Sequence, residues 1–186
     1  MSSTVLDPKL TGTYALDASH SRLGFSARHA MVTKVRGQFK EYEGSGFLDF
    51  DDPAKSTASV TVQVASVDTG NEQRDGHLST NDFFDAPTYP TITFTSTGAA
   101  KVDDENFTLT GDLTIKDVTK SVTIDFEFTG TSVDPFNNTR VGFEGKTVVN
   151  RKDWGINFNA ALETGGVLVS DKVTLEFDIS AIRQDS

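Results

Sequence analysis

Three histidines, His20, His29 and His77, are the side chains in this sequence best suited to acid–base or metal chemistry. A zinc site needs three or four converging ligands, commonly with two of them an i, i+2 or i, i+4 pair. These histidines are scattered, and no local spacing joins them. Folding would have to gather His20, His29, Asp75 and His77 to make a metal centre. Asp75 and His77 stand two apart in a polar segment, a spacing that can orient an imidazole for proton transfer or simply hold a loop by hydrogen bonds. No serine occupies a G-x-S-x-G elbow, and neither a G-x-G-x-x-G nor a P-loop pattern occurs. Gly165-Gly166 reads as a flexible loop. Cysteine is absent, which removes disulfides, thiolate metal sites and thiol nucleophiles together.

Asp75 and His77 lie in the longest irregular stretch, Asn71 to Gly98, about which the rest of the chain is arranged. Pro87 and Pro90 push Ala86 and Tyr89 toward extended backbone, so no helix is expected to run through it. The Phe83-Phe84 pair sits at its centre, and Thr91 to Thr95 closes it as a strand. A second dense patch is Arg151-Lys152-Asp153-Trp154-Gly155. There Arg151 and Asp153 are placed to pair across a turn, with Trp154 packed beneath and its N–H in need of an acceptor.

The elements that must position these groups read as β-strands. Leu23, Phe25, Ala27 and His29 share one face of an alternating segment, and Arg22, Gly24, Ser26 and Arg28 the other. Ala30 to Lys34 reads as one helical turn. Val35, Gly37 and Phe39 are in phase, and Gly44 and Gly46 suggest a bulge or bend. Further single-face sets are Val60, Val62 and Val64; Phe107, Leu109, Leu113 and Ile115; Val122, Ile124, Phe126 and Phe128; Val141, Phe143, Thr147 and Val149; and Val173, Leu175, Phe177 and Ile179. Lys116-Asp117 predicts a tight hairpin with Asp117 at positive φ. Asp134 to Asn138 is a further turn. Eight to ten strands with one apolar face each imply antiparallel pairing about a shared interior, as a sandwich or a closed barrel.

The totals bound the function. A chain of 186 residues with 36% hydrophobic and 24% charged residues suits one soluble domain. Residues 1–12 read as a flexible tail and 13–186 as the domain. The net charge of −10 argues against nucleic acid and anionic membrane surfaces as partners. Fourteen phenylalanines against one tryptophan and three tyrosines suit either strands and core or a ring-lined apolar cavity. The N-terminus has no basic and apolar signal pattern, and no apolar run approaches the ~20 residues that span a bilayer. A cytoplasmic location is the expectation.

Six motifs, in order, resemble the YceI-like polyisoprenoid-binding family. They are Leu16-Asp17 and His20-Ser21 with Phe25 and His29; VRGQFKEYEG at 35–44; RDGHLSTNDFFDAPTYPTITFTST at 74–97; LTGDLTIKDVTKSV at 109–122; NRKDWGINF at 150–158; and GGVLVSDKVTLEFDI near the C-terminus. The resemblance covers nearly the whole chain from Tyr14 to Ile182. It implies an all-β fold, an extended lipocalin-like antiparallel barrel with an apolar tunnel and a short helical or loop insertion. The implied function is to carry or store a polyisoprenoid, such as an isoprenoid quinone or another polyprenyl amphiphile, without catalysis. The lipid is then the ligand and no cofactor is needed. Many family members are periplasmic, which contrasts with this N-terminus. Asp117 stands where the family commonly has glycine. The resemblance also admits a homodimer.

Strand phase and the resemblance together give the expected site. Phe25, Phe39, Phe94, Leu113, Phe126 and Phe143 form the tunnel wall. His29, Asp75 and His77 stand near the head group or mouth, and Phe83, Phe84 and Trp154 shape the entrance. No catalytic or metal-ligating residue is assigned. Two alternatives stay open: an enzyme that acts on an isoprenoid lipid through His29, Asp75 and His77, and a stress-related structural protein with no ligand.

Overall fold

Alternating apolar and β-branched segments pair as the period-2 pattern requires. The computed structural model describes residues 7–30, 32–159 and 169–184. Among these residues eleven strands result: β1 (Gly12–Leu16), β2 (Arg22–His29), β3 (Thr33–Phe39), β4 (Tyr42–Leu48), β5 (Thr57–Gln63), β6 (Val67–Asp68), β7 (Thr91–Lys101), β8 (Asn106–Ile115), β9 (Val118–Val133), β10 (Thr139–Asn150) and β11 (Lys172–Arg183). Among the described residues there is one α-helix, α1 (Glu72–Leu78), between β6 and β7.

Every pairing is antiparallel, and the ring closes. The strands run β1-β4-β5-β7-β8-β9-β10-β11, with β11 returning to β1 through Tyr14↔Arg183 and Leu16↔Ala181. β2 continues from β1 along β11 (Phe25↔Leu175), β3 pairs with β2, and β6 with β3. The pairs β1 with β2, β3 with β4 and β5 with β6 therefore act as three long, bent strands. With β7 to β11 they make a closed eight-stranded antiparallel barrel. Closure pairs β1 with β11, so in the described sheet the short β6 is the strand left with an open side. β6 and β7 diverge, and the segment carrying α1 fills that gap. Its return is fixed where Val64 N donates to Pro90 O at 3.0 Å.

Several local expectations give way to specific geometry. The Asn71–Gly98 stretch does contain a helix, because both prolines fall after it and Asn71 caps its start by accepting from Arg74 N at 3.0 Å. Ala30–Lys34 forms no helical turn. Ala30 takes φ 53° in the β2–β3 turn, and Thr33 already belongs to β3. Gly44 and Gly46 make no bulge and stay in register with Val60 and Ala58. Their backbones lie so close to β5 that a Cβ on Gly46 would stand 2.4 Å from Thr57 O. The register shifts fall elsewhere, between Ser96 and Gly98 of β7 and between Gly142 and Phe143 of β10. The β8–β9 hairpin is as tight as predicted, with Lys116 (φ 52°) and Asp117 (φ 63°) both left-handed.

Two apolar clusters mark the two ends of the interior. Leu23, Val62, Val64, Ile92, Leu113 and Trp154 gather at the end covered by α1. Tyr14, Phe50, Phe128, Val141 and Ala181 gather at the other. Residues 7–12 join the second end, where Tyr14 Oη donates to Leu10 O at 2.7 Å; residues 1–6 and Gly165-Gly166 lie outside the described residues.

Candidate functional site

Between the two clusters the barrel encloses a cavity of about 390 Å³, within the range of ~300–1,000 Å³ usual for ligand pockets. Its wall comes from inward positions of most strands. Phe25, Phe39, Phe94, Leu113, Phe126 and Phe143 all line it. The same face of β11 contributes Val173, Leu175, Phe177 and Ile179, and β9 adds Val122 and Ile124. Phase found these strand positions. It did not find Tyr14, Phe50 or Ile156, which reach the cavity from the short strand β1, a turn and a loop.

The phenylalanines keep the lumen open by lying along the wall. A Cβ on Gly145 would stand 2.3 Å from Phe126 Cε1, one on Gly111 2.4 Å from Phe94 Cζ, and one on Gly37 2.5 Å from Phe25 Cζ. Gly145 faces Phe126 across β9–β10, and Gly37 faces Phe25 across β2–β3. Each glycine thus leaves room for a ring that would otherwise point into the lumen, the aromatic cover of strand glycines known in sheets.

At the end bearing α1, Phe83, Phe84, Leu78 and Trp154 line the cavity. Phe84 meets Phe39 edge-on at 5.8 Å, and Phe39 meets Phe25 at 5.6 Å. Trp154 is 2% exposed, and its Nε1 donates to Leu113 O at 2.9 Å, the acceptor that its burial demands. It follows Arg151 in a 3-10 turn, Arg151–Trp154, whose chain reverses at left-handed Gly155 (φ 77°).

Arg151 does not pair with Asp153. Its guanidinium donates to Ser170 O at 2.9 Å, Ile156 O at 2.7 Å and Val169 O at 3.3 Å, with Asp171 at 3.8 Å. Backbone carbonyls satisfy a charge that is 5% exposed, and burial pushes its pKa below the ordinary guanidinium value. At the opposite end of the cavity Asp49 accepts from the backbone N–H groups of Asp51 and Asp52. Both charged residues bordering the cavity are therefore engaged by the protein's own backbone.

His29, Asp75 and His77 are not among the residues lining the cavity. Asp75 does not orient His77; its Oδ1 accepts from Thr69 N at 2.9 Å and from Thr69 Oγ1 at 2.5 Å. Arg74 donates to Thr69 Oγ1 and Thr69 O, both at 2.7 Å, so these two side chains tie α1 to the chain after β6. His77 pairs with Asp82 through Nε2 at 2.8 Å and meets Phe83 at 5.1 Å and Phe158 at 4.9 Å, both edge-on. Phe158 is a contact that sequence reasoning missed, and no local pattern signals it. His29 is exposed at the end of β2, bridged to Val169. His20 pairs with Asp17 at 2.8 Å. The histidines thus serve separate partners, and the described residues hold no group of three side chains placed to bind a metal.

Comparison with known proteins decides the family. The YceI-like domain model matches residues 14–181. The chain belongs to the YceI-like domain family. The UPF0312 protein of Staphylococcus epidermidis RP62A is 41% identical over 164 residues, covering 88% of this chain and 93% of that relative. Among solved structures, Burkholderia cenocepacia BcnA superposes with a TM-score of 0.78 at 25% identity, over 89% of this chain and 98% of that one. A Campylobacter jejuni YceI protein gives 0.74 at 31% identity, over 85% and 90%. A polyisoprenoid-binding domain from Saccharophagus degradans gives 0.67 at 17% identity, over 92% and 98%, a likeness of fold.

Proposed function

We propose that this YceI-like protein binds a polyisoprenoid lipid in its barrel, an isoprenoid quinone or a related polyprenyl amphiphile, and carries or stores it without chemical change. The observation that carries this reading is the cavity itself: apolar, lined by phenylalanines laid flat over glycines, with its bordering charges held by backbone. Burying a methylene-sized group contributes about 0.8 kcal/mol, so a five-carbon isoprene unit contributes roughly 4 kcal/mol. Association costs on the order of 4–15 kcal/mol, so a tail of a few units offsets that cost with no charged contact. Among the described residues, the two charged side chains at the lumen, Asp49 and Arg151, are engaged by backbone groups, which suits holding a lipid. The polyisoprenoid-binding description of the Saccharophagus degradans neighbour is consistent with such a cargo.

Organic extraction of the purified protein, followed by mass spectrometry, tests the reading. A co-purifying prenyl lipid is the expected result. An empty protein that also fails to bind added quinone or polyprenol would sink it, and turnover of the added lipid would move the protein to the enzymes.

A further inference from the structure

The charge of this protein is not spread evenly. Residues 18–40 contain five of the 17 lysines and arginines, namely Arg22, Arg28, Lys34, Arg36 and Lys40, and none of the 27 acidic residues. This segment is the β2–β3 hairpin with its approach. Phe25, Ala27 and Phe39 line the cavity, so by alternation Arg22, Arg28, Lys34 and Arg36 lie on the outer face. Arg22 and Lys40, farthest from the turn, have acidic partners in Glu176 at 3.9 Å and Asp68 at 2.9 Å. Nearer the turn the pairing stops. Arg28 stands directly across the ladder from Lys34 and Ser26 across from Arg36. Arg28, Lys34, Arg36 and the neighbouring Lys172 are exposed and make no ion pair among the described residues. Like charges directly opposite each other destabilise a ladder, so an isolated Arg28–Lys34 pair is a cost to the fold. At the turn itself Val32 is 74% exposed.

We infer that the outer face of the β2–β3 hairpin docks the protein on an anionic lipid bilayer, its local cluster of cations overriding what the net charge of −10 argues for the molecule as a whole. Arg28, Lys34, Arg36 and Lys172 would meet lipid phosphates, with Val32 entering the headgroup layer. Clusters of four or more cations beside an apolar element are what an anionic leaflet attracts, and attraction that rests on charge is reversible. The acidic remainder of the surface orients the approach and keeps other faces off the membrane. The hairpin's inner face is cavity wall, so docking brings the cavity and the bilayer together across one pair of strands. That purpose rests on the carrier reading; the docking itself does not.

Co-sedimentation of the full chain with vesicles tests the inference. One set is phosphatidylcholine alone; the other adds phosphatidylglycerol. Binding is expected only to the second set, falling as salt is raised. Each cation removed is expected to weaken it about fivefold, so Arg28→Gln/Lys34→Gln/Arg36→Gln loses about a hundredfold. Lys55→Gln/Lys101→Gln, at the other end of the barrel, is expected to bind as the parent does. Equal binding to both vesicle sets, or a triple variant that binds like the parent, overturns the inference. So does capture by soluble polyglutamate with no vesicle binding, which would assign the face to an acidic protein. Extraction of the triple variant separates the two readings. Unchanged lipid content with lost docking supports both, whereas docking by a protein that never holds lipid leaves the docking and removes the carrier.

Discussion

The ring of Phe126 lies against the backbone of Gly145 on the neighbouring strand, so close that a Cβ on the glycine would stand 2.3 Å from Cε1. Gly145→Ala must therefore turn the ring into the lumen. Overpacking of this kind costs about 1–3 kcal/mol, and the cavity shrinks as well. The expected outcome is weaker binding of a fluorescent polyprenol together with a lower urea midpoint. Gly145→Ala/Phe126→Leu is expected to recover most of the binding. If Gly145→Ala binds like the parent, Phe126 does not gate the lumen's width.

His77 joins α1 to Phe158 by one edge contact and to the Asp82–Phe83 turn by another edge contact and the Asp82 pair. Aromatic pairs contribute roughly 0.5–1.5 kcal/mol each. His77→Ala is therefore expected to speed release of bound lipid several-fold in a stopped-flow transfer assay while leaving the number of bound lipids unchanged. Loss of a catalytic turnover in this variant would instead favour the enzyme alternative.

Arg140 joins two carboxylates, donating to Asp17 at 2.7 Å and Asp134 at 2.8 Å. Hydrogen bonds from Asn138 N, then from Arg140, lower the Asp134 pKa from 3.8 to about 2. Ser19 and Arg140 likewise hold Asp17 below the ordinary carboxylate value. A carboxylate with a depressed folded pKa contributes stability above its unfolded pKa, and that contribution is lost as pH falls through the folded value. The melting temperature is expected to be insensitive to Asp134 titration at neutral pH and to fall from about pH 4 toward pH 2. Asp134→Asn should start lower at neutral pH and show a shallower acid slope. An unchanged slope would remove Asp134 from the acid transition.

The β8–β9 turn places two non-glycine residues, Lys116 and Asp117, at positive φ. Left-handed backbone costs an L-residue roughly 1–2 kcal/mol, and Asn-Gly suits both positions. Lys116→Asn/Asp117→Gly is expected to raise stability by about that amount in urea denaturation, with lipid binding unaltered.

The sequence by itself determined the strands, most of their inward faces and one tight turn. Alternation along a strand is a local property, so the phases of β2, β8, β9, β10 and β11 could be read from residue types alone, and Phe25, Phe126 and Phe143 with them. The ordered motifs carried the family. Tertiary structure decided what depends on residues distant in the chain. Asp75 turned to Thr69 and His77 to Asp82, only six and five residues away, but it took the fold of α1 and its flanking turns to choose these partners over the pairing of Asp75 with His77. Arg151 found carbonyls rather than Asp153, because the 3-10 turn aims it at the chain returning to β11. Barrel rather than sandwich was settled by β11 pairing with β1 at the two ends of the chain. Single-face strands are compatible with either architecture, and only hydrogen bonds between the first and last strands close the ring.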